Sequence, residues 1–131
     1  MKKYIAVGIG GAAGALLRVV VHQIPLPLGS TYRPLLTMLI NISGSFFLGF
    51  LMILFAKRFL VKPAVRLGVT TGLLGGYTTF STLCKESVML CFSGNTLFAA
   101  IYVAASVVLG LGAAWVGILA AKRIERRHTA C

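Results

Sequence analysis

The sequence predicts an all-α membrane protein of four transmembrane helices, the third of them broken. Three observations carry that prediction. Apolar residues make up 58% of the 131 and charged residues only 11%, too little polar surface to wrap a soluble core. Four apolar runs, each near the roughly 20 residues a helix needs to cross hydrocarbon, alternate with basic or turn-rich segments. The third run is interrupted by GGYTTFSTL, Gly75 to Leu83, where glycines and hydroxyls stand at the depth where a span is most oily. The four spans form a single domain over residues 1–131.

The first span is read over 4–24. Met1-Lys2-Lys3 ahead of an apolar run imitates a signal peptide, but three further apolar runs follow, so it is read as a retained span. PLPLGSTYRP, Pro25 to Pro34, carries three prolines and reads as a turn-rich loop. The second span is read over 35–56 and ends at the basic loop KRFLVKPAVR, Lys57 to Arg66. The third covers 67–92, and an SGN turn at Ser93 to Asn95 leads to the fourth, 96–121, and a basic tail.

Lys and Arg total 13 against two acidic residues. Ten of the 13 fall on one side: Lys2 and Lys3, four in the middle loop and four in the tail. Only Arg18, Arg33 and Lys85 fall on the other, a bias that alone places both termini in the cytoplasm. The excess also suits contact with anionic lipid headgroups. Because the charges flank apolar spans, they form no single basic surface for nucleic acid.

Small residues recur at helical spacing. Gly10 and Gly14 form a GxxxG pair, Gly68, Gly72 and Gly76 continue at four-residue steps, and Gly110 and Gly112 lie in the fourth span. Lipid gives little hydrophobic drive between helices, so such residues read as close-packing surfaces of a compact bundle. Cys84 and Cys91 share a helix face and read as packing residues.

Polar residues within the spans are more informative, because each costs free energy unless partnered. Thr37, Asn41, Ser45 and Gly49 form one stripe at four-residue steps. Asn41 is either glue to a neighbouring helix or part of a narrow wet path. Tyr102, Ser106 and Gly110 repeat the pattern in the fourth span, although Ser106 can also bond its own i−4 carbonyl. In the third span, Gly75-Gly76 before Thr78-Thr79 makes a poor helix interior, so a break is expected there. It would free carbonyls at membrane depth, a recurrent cation site. Beyond it, Phe80, Ser81 and Thr82 offer a positive ring edge and hydroxyl donors, both suited to an anion.

Charged side chains in the spans are few. Arg18 either snorkels or attracts an anion. Glu86 reads as a solvated carboxylate beside Lys85. His22 and His128 are isolated, the first near a loop and the second in the tail. No nucleotide-binding, metal-hydrolase or nucleophile motif is visible, so no enzyme is expected. The first two spans carry no carboxylate, which a proton-coupled cation exporter would need.

GGAAGALLR (Gly10 to Arg18), NISGSFFLG (Asn41 to Gly49) and GLLGGYTTFSTLCKE (Gly72 to Glu86) resemble, in order and spacing, the three signature segments of the Fluc-type (CrcB) fluoride channels. The resemblance covers essentially the whole chain. It implies an antiparallel dimer with two fluoride pores, in the bacterial cytoplasmic membrane. By match, Asn41 and Phe80 would line the pores, with Ser81 and Thr82 nearby. Thr37 would lie on the same path, and the Tyr102/Ser106 stripe resembles the family's polar track. Gly75 and Thr78 would offer backbone carbonyls to a structural sodium ion at the dimer centre. Glu86 matches an acidic position near a pore mouth, and Arg18 the family's first-span arginine.

Two departures stand out. Leu83 occupies the place of a second phenylalanine, keeping its bulk but not its ring edge. The basic bias opposes the insertion of one chain in both orientations, so the partner is either a second copy or a different, oppositely oriented chain; the homodimer is expected. The resulting expectation is passive export of fluoride from the bacterial cytoplasm, which lowers fluoride toxicity. The rivals are a small multidrug-type cation exporter and a non-transporting structural subunit in which every stripe is helix glue.

Overall fold

The computed structural model describes residues 1–24, 33–57 and 61–129, and every regular element among them is helical. The elements are α1 (Lys2–His22), α2 (Arg33–Lys57), α3 (Pro63–Leu67), a π-helical turn (Gly68–Leu74), α4 (Gly75–Tyr77), α5 (Phe80–Phe92) and α6 (Thr96–Thr129). Most of the expected loop at Pro25 to Pro34 lies outside the described residues, as do Arg58 and its two successors in the basic loop. The SGN turn is present, and Gly94 takes φ +78°, a left-handed conformation that glycine adopts without steric cost.

Among the described residues, three helices are long and apolar enough to cross a membrane: Lys2–His22, Arg33–Ala56 and Thr96–Arg126. The third stretch is not one uninterrupted helix, being assembled from α3, the π-helical turn, α4 and α5. At 34 residues, α6 is about 51 Å long, well beyond the roughly 30 Å of bilayer hydrocarbon. Its last turns carry Lys122, Arg123 and Arg126, so the helix continues where the apolar sequence stops.

The bundle is built on two main pairings. α2 lies along α6, and α1 lies along the π-helical turn and α4. The glycine repeats explain the second pairing. A Cβ placed on Gly72 would stand 2.7 Å from the Val7 carbonyl oxygen and 3.1 Å from Gly10 Cα. One placed on Gly14 would land on the Leu73 carbonyl. The Gly10/Gly14 pair and the Gly68/Gly72/Gly76 row therefore pack against each other, backbone to backbone, where dispersion is strongest. The same device recurs between α2 and α6, where Gly49 meets the Ala114 backbone and Gly117 meets that of Phe46.

The third stretch changes partner halfway along. Its first half packs on α1, whereas α5 packs on α6 and, to a lesser extent, on α2. The switch occurs at Thr78 (φ −72°, ψ 155°) and Thr79 (φ −147°, ψ 117°), both extended. The interruption thus falls after the glycine pair, not at it. Gly75 is helical, at φ −67° and ψ −34°, and Gly76 serves close approach to Gly11. β-branched threonines accept extended backbone readily, and a neighbouring side chain supplies the partners that this backbone loses.

Candidate functional site at the helix break

Asn41 is that neighbour. Its Oδ1 accepts the Thr79 backbone N–H at 2.8 Å, and its Nδ2 donates to the Thr79 carbonyl at 3.1 Å. One amide side chain therefore replaces both backbone partners of a residue only 5% exposed. Buried backbone groups need such partners, and in a membrane no water replaces them. Of the two sequence readings of Asn41, the glue is what this chain displays; its second amide hydrogen remains available to a ligand.

Thr79 also organises the start of α5. Its Oγ1 accepts from Thr82 N–H at 3.2 Å as the N-cap of that helix, and it donates to Thr82 Oγ1 at 3.0 Å. It lies 3.2 Å from Ser81 Oγ, a further hydroxyl contact. The predicted Ser81 and Thr82 are thus tied together through a residue that sequence reasoning did not assign to the site. The available signal was a threonine immediately ahead of a helix-forming run.

Two consequences concern the backbone oxygens around the break. Thr78 N–H and Thr78 Oγ1 both donate to the Leu74 carbonyl, each at 3.0 Å. The amide that would bond Gly75 O in a continuous helix is that of Thr79, which Asn41 holds instead. Gly75 O is thereby released from its helical partner, beside the extended Thr78. Gly75, Thr78, Thr79, Phe80 and Asn41 all line one cleft of about 280 Å³. Phe80 is 79% exposed on the chain surface, whereas Leu83, three residues on, is 6% exposed and packs inside. Leu83 therefore extends the core of its own chain and does not join Phe80 on the outer face.

A second cluster joins α2, α5 and α6. Glu86 Oε1 accepts from Thr37 Oγ1 at 3.0 Å, and Oε2 accepts from Tyr102 OH at 2.7 Å. This corrects the reading of Glu86 as a solvated carboxylate beside Lys85: both oxygens point to hydroxyls of neighbouring helices. Thr37 and Tyr102 are buried, so the two polar stripes that were separate in sequence end on one carboxylate. One turn further along α6, buried Ser106 donates to the Tyr102 carbonyl at 2.7 Å, the i−4 bond that its sequence position allowed.

Arg18 lies in neither cluster but lines a wider cleft of about 750 Å³, shared with Thr82 and Glu86. His22 lines it too and so does not stand apart from the other titratable groups. Cys84 and Cys91, expected to pack, are exposed on this chain. Among the described residues, no group of three or more His, Cys, Asp or Glu is placed to hold a metal.

The family model described as CrcB-like protein, Camphor Resistance (CrcB), matches residues 5–118. A protein of Methylococcus capsulatus named fluoride-specific ion channel FluC is 45% identical over 120 residues, which are 91% of this chain; the chain spans about half, 52%, of that relative's length. A FluC of Chlorobaculum tepidum is 41% identical over 93% of this chain and 96% of its own. FluC 2 of Geobacillus kaustophilus is 43% identical over 91% and 92%. With a family model covering most of its length and relatives above 40% identity along nearly all of it, the chain belongs to the CrcB family.

Proposed function

We propose that this chain is a fluoride-selective channel that lets fluoride leave the bacterial cytoplasm passively, across the inner membrane. The observation that carries the reading is full-length similarity to proteins named fluoride-specific ion channels, joined to a helix break edged by anion-compatible groups. Fluoride holds its water tightly, so a selective path must offer close donors in its place. The free amide hydrogen of Asn41, the hydroxyls of Ser81 and Thr82 and the ring edge of Phe80 are such groups. The Thr37, Tyr102 and Ser106 hydroxyls continue the polar surface between α2 and α6.

The third stretch is read as the fourth membrane crossing, its interior polarity tolerated because Asn41 and Thr79 satisfy it. The exposed Phe80 supports assembly as a dimer, since a ring set beside a polar break gains a defined role only when a second surface faces it. An antiparallel homodimer is the form proposed. The Gly75 and Thr78 carbonyls fit a structural sodium ion, one being released from its helix and the other lying in extended backbone. A second copy would complete the coordination. When bound, the ion would supply positive charge that holds the two breaks together.

Fluoride release from liposomes, with chloride as the control, tests the reading. Selective fluoride efflux is expected; no fluoride flux, or equal chloride flux, would sink it. Phe80→Ile is expected to cut flux sharply while leaving the fold intact, because the ring makes so few contacts within its own chain.

A further inference from the structure

The wider cleft collects basic side chains from three elements. Arg18 and His22 come from the last turns of α1, Arg33 from the first residue of α2 and Lys85 from α5. Among its described lining residues Glu86 is the one carboxylate, and both of its oxygens already accept from Thr37 and Tyr102. Three permanent cations therefore face one engaged carboxylate across about 750 Å³, far more room than a single-atom anion fills. Asn95 and Gln23 add neutral donors at the edge, and Val19 and Met89 an apolar wall.

Two guanidinium forks and an ammonium lining one cleft suit a tetrahedral oxyanion, which can take paired N–H bonds from each fork. We propose that this cleft binds a phosphate-class oxyanion through Arg18, Arg33 and Lys85. The phosphate can be free or carried on a lipid headgroup, the apolar wall suiting the latter. Because Thr82 lines the same cleft, the occupant stands between bulk solvent and the helix break. Its effect on fluoride flux rests on the channel reading; the binding itself does not.

The test uses the full chain. Protein in detergent is titrated with inorganic phosphate, with chloride at matched ionic strength as control, and the thermal unfolding midpoint is followed. In parallel, the midpoint is compared in nanodiscs of neutral lipid with and without an anionic phospholipid. Both arms are repeated on the Arg33→Gln/Lys85→Gln variant; if that does not fold, Lys85→Gln alone is used, Lys85 being exposed. A midpoint raised by phosphate, with apparent affinity at least roughly tenfold weaker in the variant, supports the site with free phosphate as ligand. A midpoint raised only by the anionic lipid and lost in the variant supports it with a headgroup as ligand. No shift in either arm, or a shift the variant keeps undiminished, overturns the proposal. Fluoride efflux from the untreated protein reports separately on the channel reading.

Discussion

Replacing Asn41 by leucine removes both side-chain partners of the Thr79 backbone at once. The substitution keeps about the same size, so the change is chiefly in hydrogen bonding. Two bonds are lost, at 2.8 Å and 3.1 Å, and the groups left behind belong to a residue 5% exposed. Orphaning a buried polar group costs ~1–3 kcal/mol in water-soluble proteins. Hydrogen bonds between membrane helices average ~0.6 kcal/mol, because the unfolded chain in lipid also finds partners. Two bonds within that span give an expected loss of about 1–6 kcal/mol for Asn41→Leu. Ser106→Ala is the internal control: Ser106 donates to a carbonyl of its own helix, so its loss strands no backbone group and should cost less than ~0.5 kcal/mol. Denaturation of the detergent-solubilised protein, followed by circular dichroism, compares the two. An Asn41→Leu midpoint no lower than that of Ser106→Ala refutes the clamp. Loss of fluoride efflux at unchanged stability would assign Asn41 to the path wall alone.

Three further outcomes are expected. Tyr102→Phe deletes a hydroxyl 2.7 Å from Glu86 and should destabilise by about 1–2 kcal/mol; with Glu86→Gln it should be non-additive in a double-mutant cycle, and simple additivity would show that the contact carries no coupling. Gly72→Ala forces a methyl to 2.7 Å from the Val7 carbonyl and should reduce recovery of folded, monodisperse protein, whereas Gly8→Ala, with nothing within 4 Å, should be neutral; equal recovery by size-exclusion chromatography would remove the glycine interlock. Thr79→Ala removes the N-cap of α5 and its hydroxyl links to Ser81 and Thr82, with an expected loss of ~1 kcal/mol in the same denaturation assay.

Much of the architecture was legible because lipid imposes harsh local rules. A helix hydrogen-bonds within itself, so length and hydropathy alone mark α1, α2 and α6. The glycine rows were equally legible as packing surfaces, though not which row met which. The site was only half legible. The cost of a buried amide made Asn41 conspicuous, and the hydroxyls beside Phe80 drew attention for the same reason. What escaped was partner choice. A break was expected where Gly75-Gly76 precedes Thr78-Thr79, but not which of these residues would leave the helix: in the folded chain Gly76 is needed against α1 and the threonines yield.

Glu86 shows the limit most plainly. In sequence it stands beside Lys85, and adjacency suggests a local ion pair. In the structure its oxygens reach Thr37, 49 positions away, and Tyr102, 16 positions away. Such separations are closed by the tertiary path of the chain, which no local pattern encodes.

The sequence by itself determined that this protein lives in lipid, which long segments are apolar enough to do so, and which polar residues had to be explained. Those are consequences of transfer free energy, a property each residue carries with it. The tertiary structure alone decided which residues of the expected break leave the helix, that Asn41 holds the break closed, and that two polar stripes converge on one carboxylate. Those outcomes depend on which donors and acceptors are brought within about 3 Å of each other, and hydrogen bonding is decided only at that range.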